Sequence, residues 1–289
     1  MAADSSTRDV AKAFAPGNIS GLFKIIAHDD PAKMHSLGWG FTVSDGVKVK
    51  LAHATSDSTQ VTFNDEPIDF PTVSSALRDL VETDFNVDID SNLPLSSGFG
   101  LSGAATFAAL IAAADLLDLG KSRDELAMIA HIAEVRNLTG LGDVCSQFNG
   151  GCLVKTTVGH PLAATTINMP PTPVYWRYFG KIHTSEILAD HERHSRINQA
   201  ADEALTTIEN AIQSDSTITF EELISLALDF AESSGLLMDE RVKNSIAQAN
   251  ANGGVATMIM LGNAVFSTAP FPGCTETTLS RTAAHLIED

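Results

Sequence analysis

The stretch Pro94-Leu-Ser-Ser-Gly98-Phe-Gly100-Leu-Ser102-Gly103-Ala104-Ala105 limits the folds open to this chain more than any other. In it a loop of small residues runs directly into a long alanine- and leucine-rich segment. Leu101 to Leu119 reads as a helix, with Ser102 near its N-cap and Gly120 as its stop. It is apolar on nearly every side, which predicts a helix buried inside the molecule. Its apolar run, Ala104 to Leu117, is too short to span a bilayer and is broken by Thr106 and Asp115. Any helix N-terminus leaves several backbone N–H groups without partners and carries roughly +0.5 charge. Small residues ahead of it let an anion reach that backbone, so the loop is a candidate phosphate cradle. The same residues would also serve a plain turn that caps a buried helix. No Gly-Lys-Ser or Gly-Lys-Thr follows the glycines, which excludes the P-loop pattern.

Around this helix the pattern is mixed. Val47 to Ala52 and Gln60 to Phe63 alternate apolar and polar residues as half-buried strands do, and a helix is expected from Thr72 to Thr83. Another helix is expected from Arg123 to Asn137, after which Gly150-Gly151-Cys-Leu-Val looks like a turn entering a strand. Gly159, Pro161, Pro170, Pro171 and Pro173 crowd the join between residues 158 and 174, dividing the chain into segments 1–158 and 174–289. Beyond the join, Ser195 to Gln213 and Thr219 to Ser233 show helical periodicity behind serine or threonine caps. Gly254 to Met260 and Asn263 to Ser267 read as two short strands around Leu261-Gly262, followed by a last helix near Thr275 to Ile287. Gly38-Trp39-Gly40 fits a hairpin turn or a turn beside a substrate. Helices alternating with antiparallel hairpins make this an α+β protein rather than a doubly wound sheet.

Charge narrows the partners. Acidic residues outnumber basic ones 36 to 18, a formal charge of −18, which argues against nucleic acid. A phosphate site in such a chain has to work through local N–H groups, a few cations or bound Mg²⁺. Cys145, Cys152 and Cys274 are odd in number and lack close metal-ligand spacing, which points to a reducing cytoplasm. The opening MAADSSTRDVAKAF has no apolar core of a targeting segment, so neither secretion nor a membrane partner is expected. Glu134, on the helix ending near Asn137, and Asp143, read as lying on a loop, are nine positions apart. Both are ordinary surface carboxylates if taken alone. Beside a phosphate cradle, one can hold Mg²⁺ and the other can take or orient the proton of a substrate hydroxyl.

Three stretches together resemble the GHMP small-molecule kinases. Ala15-Pro16-Gly17-Asn18-Ile19 is similar to the family's first motif, although Asn18 stands where a lysine is usual. Pro94 to Ala105 is similar to the second motif, and Glu134 and Asp143, with Gly150-Gly151 after them, match the spacing and context of the family's magnesium glutamate and catalytic aspartate. The resemblance implies a GHMP kinase fold, with an N-terminal domain like ribosomal protein S5 domain 2 over 1–158 and a ferredoxin-like domain over 174–289. It implies ATP and Mg²⁺ as cofactors. ATP would be held by Pro94, Ser96, Ser97, Gly98, Gly100, Leu101, Ser102 and Gly103. Mg²⁺ would be held by Ser102 and Glu134, and Asp143 would be the catalytic residue.

The late glycine-rich motif is eroded to Gly253-Gly254-Val-Ala-Thr257-Met-Ile-Met-Leu261-Gly262-Asn263, which leaves the C-terminal contact to ATP open. Particular runs, among them Ala-His-Ile-Ala-Glu134-Val-Arg-Asn and Met-Ile-Met-Leu-Gly-Asn, are similar to an archaeal branch of the family whose acceptor is a small hydroxy acid. Such an acceptor needs a cation or backbone donors for its carboxylate. Lys24, His28 and Arg136 are the candidates nearest the motifs, each equally readable as a surface charge, and His131 is readable as a packed histidine. Kinases acting on mevalonate, homoserine or shikimate, and a non-catalytic metabolite sensor, remain open alternatives. A homodimer is common among such kinases.

Overall fold

The computed structural model describes residues 9–180, 191–214 and 218–288. The reading of the chain's first eight residues lies outside the described residues. Two long strands form the frame: β1 (Val10–Ile26) and β2 (His35–His53) pair antiparallel, with register shifts between Pro16 and Asn18 and between Ser20 and Leu22. The first half of β2 pairs with β6 (Cys152–Lys155), while its second half pairs with β5 (Phe85–Ser91). The short β3 (Gln60–Phe63) lies parallel to β5 and pairs with β4 (Glu66–Pro67), and β7 (Thr165–Ile167) extends β6. Gly38-Trp39-Gly40 therefore lies inside β2 and not at a turn. Trp39 is buried there, with Nε1 donating to Cys152 Sγ at 3.2 Å.

The alanine-rich segment forms α2 (Leu101–Leu116), which lies against β1 and β2. It is covered by α1 (Pro71–Leu80), α3 (Arg123–Arg136) and the short α4 (Asp143–Asn149). Being surrounded by packed elements is the reason it carries almost no polar face. Ala104, Ala105, Ala108, Ala109, Ala112 and Ala113 let its neighbours approach closely in the close-packed interior. Ser122 starts α3 with a full capping box against Glu125.

A second, four-stranded sheet has the order β11 (Thr275–Thr278), β8 (Pro173–Gly180), β10 (Asn263–Ser267), β9 (Ala256–Met258). Helices α5 (His191–Gln213), α6 (Phe220–Ser233) and α7 (Glu240–Ala251) accompany it, and α5 and α6 also pack on β1. The expected last helix is instead β11, an irregular return and β12 (His285–Leu286), which pairs with β1. The reason is local. The β-branched run Thr275-Glu-Thr-Thr278 suits the edge of a sheet, and Leu279 and Ala284 are buried as the chain crosses back. Among the described residues, no helix is long and apolar enough to cross a membrane.

Candidate active site

The N-cap of α2 is Gly100, in the left-handed region with φ 60°, and no side chain caps the helix. Its first N–H groups therefore face a cavity of about 460 Å³ lined by Leu95 to Ser102 and, opposite, by Asn137 to Asp143. Ser102 is not the cap. It is the second residue of the helix, and its Oγ donates to Glu134 Oε1 at 2.6 Å and lies 3.0 Å from Thr72 Oγ1. Of the candidate cradle residues, Ser96, Ser97, Gly98, Gly100, Leu101 and Ser102 line the cavity. Pro94 and Gly103 stand behind its wall. The Pro94 carbonyl accepts from Ser97 Oγ, and Gly103 packs against Gln147 and Val144.

The late glycine motif meets this loop. Leu261 is non-glycine with φ 60°, and with Met260 it lines the cavity. A Cβ on Gly262 would collide with the Ser97 carbonyl, and one on Gly98 would sit 2.8 Å from Met260 O. Two glycines thus let the two backbones cross at a distance no side chain permits. Despite its erosion in sequence, the motif forms part of the cavity wall.

Asp143 is the first residue of α4 and not a loop residue, so its carboxylate sits in the first turn, where the helix dipole favours it. Its Oδ1 accepts from Asn18 Nδ2 at 2.7 Å. A Cβ placed on Gly140 would be 2.7 Å from Glu134 Oε2 and 2.8 Å from Asp143 Oδ2, so the two carboxylates flank the same small gap. Burial pushes the Glu134 carboxyl up to about 7 against the Ser102 hydrogen bond, and the Asp143 charge adds to the rise. Burial likewise raises Asp143 to about 6, opposed by the bond from Asn18. Two carboxyls raised by burial, Asp143 lining the cavity and Glu134 behind its wall, make this a candidate functional site. Glu134 Oε2 is buried with no hydrogen-bond partner. A hydroxyl and a carboxylate are hard oxygen donors of the kind Mg²⁺ takes, with its remaining positions left to phosphate and water. Among the described residues no cluster of three His, Cys, Asp or Glu could hold a metal ion.

The cations nearest the motifs in sequence are elsewhere. Lys24 pairs with Asp202, Arg136 with Asp79 at 2.8 Å, and His28 Nδ1 accepts from the Asp30 N–H, and none of the three lines the cavity. Sequence reasoning missed Lys155, on β6. It lines a small cavity of about 50 Å³ that adjoins the large one, since Ser20, Phe23, Ser36 and Gly142 line both. Lys155 is buried, and Nζ donates to the carbonyls of His160 at 2.6 Å and Pro161 at 3.0 Å. Among the described residues no carboxylate pairs with it, and burial lowers its pKa. His131, whose ring Nε2 is 2.9 Å from Met34 O, and His35, whose Nε2 has no partner, are close enough to feel its charge. Burial lowers both, His131 to about 4. A buried ammonium without a counter-ion, next to an open cavity, is a ready place for an anionic group.

The family model described as GHMP kinases N terminal domain matches residues 71–151, which hold the loop, Glu134 and Asp143. Pantoate kinase from Methanospirillum hungatei is 31% identical over 262 residues, covering 88% of this chain and 86% of the relative. Pantoate kinase from Methanocaldococcus jannaschii is 31% identical over 258 residues, covering 88% and 90%. A solved structure described as a phosphotransferase related to the CoA biosynthesis pathway superposes with a TM-score of 0.81. It covers 96% of this chain and 98% of that one at 23% identity.

Proposed function

The chain belongs to the GHMP kinase family, and we propose from that footing that it transfers the γ-phosphate of ATP to the primary hydroxyl of pantoate, forming 4-phosphopantoate on the archaeal route to coenzyme A. It is an ATP-dependent small-molecule kinase with the family's α+β fold. The observation that carries the reading is the meeting, at one cavity, of an uncapped helix N-terminus, Ser102 with Glu134 hydrogen-bonded behind it, and Asp143. Free Cys145, Cys152 and Cys274 suit the cytoplasm, where ATP is supplied.

Phosphoryl transfer is mostly positioning and charge stabilisation. The first N–H groups of α2 would take the phosphate oxygens, and the crossing at Gly98 and Gly262 shapes the wall behind them. Ser102 and Glu134 would hold Mg²⁺, which when bound neutralises charge on the transferring phosphate. With a pKa near 6, Asp143 is mainly ionised at neutral pH, and no hydrogen bond reaches its Oδ2 from the described residues. That oxygen can accept or orient the proton of the acceptor hydroxyl. Lys155 supports a carboxylated acceptor, because the adjoining small cavity would pair the carboxylate with the buried ammonium.

ADP release with Mg²⁺ and ATP tests the reading, offering pantoate, mevalonate, homoserine and shikimate separately. Turnover should occur with pantoate, and Asp143→Ala should lower it by a factor of hundreds to thousands, about the size of one general-base contribution. Turnover with another acceptor would keep the kinase and discard pantoate. Nucleotide binding with no turnover on any of the four would point to a metabolite sensor.

A further inference from the structure

β1 leaves its regular register on both sides of the segment Asn18–Ser20. Such bulges re-aim side chains, and here they carry Asn18 into contact with two separate parts of the site. Its backbone N–H donates to Phe99 O at 2.9 Å, within the phosphate loop. Its Nδ2 donates to Asp143 Oδ1 at 2.7 Å and to Ser20 Oγ at 3.2 Å. The side chain is 1% exposed, and its Oδ1 has no partner. The acceptors facing Nδ2 therefore set the orientation of the amide. An unpaired buried carbonyl oxygen is costly to keep, so this geometry is held against a penalty.

We infer that Asn18 is a positioning residue for the phosphoryl transfer proposed above, gripping Asp143 by Oδ1 so that Oδ2 stays directed at the acceptor hydroxyl. The inference rests on the kinase reading. The terminal torsion of an aspartate is broad and roughly two-fold, so a carboxylate with no fixed partner samples several orientations. The neighbouring Glu134 adds a like charge on the open side when it is ionised. A neutral amide fixes one oxygen without adding charge. A cation at the same place would form an ion pair with Asp143 and draw on both oxygens.

The test is a kinetic cycle. Asn18→Ala removes the side chain, and the near-isosteric, uncharged Asn18→Leu keeps its volume but removes the donor, which guards against a simple packing defect. Each should lower kcat about 10- to 100-fold, the effect of displacing a catalytic group by an ångström or less, while KM for ATP and acceptor changes less than roughly threefold. In an Asp143→Ala background the same substitutions should change the rate less than about twofold, because the residue acts through Asp143. Equal losses in both backgrounds, or a loss confined to KM for ATP, would overturn the inference and leave Asn18 as a scaffold for the phosphate loop. A crystal structure of Asn18→Leu reads the same claim without turnover. An Asp143 carboxylate swung from its place supports it, and one that has not moved overturns it. Failure of the wild type to use pantoate would refute the acceptor assignment alone, since the cycle can be run with whichever acceptor turns over and the structure needs none.

Discussion

Glu134 offers the sharpest quantitative test of the site. Its carboxyl is 2% exposed, its Oε1 accepts from Ser102, its Oε2 has no partner, and burial pushes its pKa up to about 7. In the unfolded chain an ordinary glutamate titrates near 4.5. A pKa raised on folding means that the native state holds its proton more tightly. The stability linked to that proton is fully present below the unfolded value and is lost as pH rises through the folded one. In Glu134→Gln the side chain is neutral at every pH and Oε1 can still accept from Ser102, so this loss should vanish. The shift of about 2.5 units is worth about 3 kcal/mol well above both values, of which roughly 1 kcal/mol is already lost at about pH 5. Urea unfolding in EDTA, compared at about pH 5 and about pH 8.5, should therefore show the variant gaining about 2 kcal/mol on the wild type across that window. Taking the difference between two pH values cancels any constant penalty from the new amide. A variant whose offset from the wild type is the same at both pH values would refute the claim that Glu134 is buried with its charge uncompensated.

The remaining expectations follow from the same geometry. Lys155→Met should raise KM for pantoate at least about tenfold and leave KM for ATP nearly unchanged, since a buried charge-assisted contact is worth about 1.5–3 kcal/mol; steady-state kinetics with each substrate varied in turn checks this. Gly262→Ala should weaken ATP binding and lower the melting temperature together, because its Cβ would collide with the Ser97 carbonyl. Calorimetry with and without nucleotide reads both effects. The acid limb of kcat/KM should fall near pH 6, where Asp143 takes up a proton, with activity rising above it. A profile flat down to about pH 4.5 would remove Asp143 from the proton-handling role.

What could be read from the sequence was mostly what is local in the chain. The loop from Ser96 to Ser102 and the buried helix behind it announce themselves in a dozen consecutive residues, and Ser122 and Thr219 mark helix starts by their capping boxes. The helix Glu240–Ala251 carries an equally local signal: Asp239 caps it, and Val242, Ser245, Ile246 and Ala249 recur at helical spacing on its buried side. Strand Pro173–Gly180 was hidden because its opening proline belongs to the cluster that marks the join, and a first-position proline is one of the few a strand tolerates. Residues that act through distant contacts left no local signal. Asn18 and Asp143 are 125 positions apart, and Lys155 reaches the small cavity beside the large one only because β6 pairs with β2. Its neighbourhood is set by sheet register, to which neither periodicity nor a short motif gives access.

The net charge of −18 and a site for a polyanion are compatible because they act over different distances. Surface carboxylates are screened over about 8 Å at physiological ionic strength, whereas a helix N-terminus acts within its first turn and a buried ammonium within one hydrogen bond. The attraction here is placed inside the cavity, at the uncapped start of α2 and at Lys155 behind it, where low dielectric strengthens it. The repulsion comes from exposed carboxylates such as Asp57, Asp65 and Glu82, with Asp69 and Asp143 at the cavity itself. Such a distribution slows the approach of an anion from bulk solvent and leaves its binding, once arrived, to short-range contacts. It also explains why Asp143 can be held by an amide. No Lys, Arg or His stands among the described residues lining the large cavity, and there a neutral donor, Asn18, holds the carboxylate.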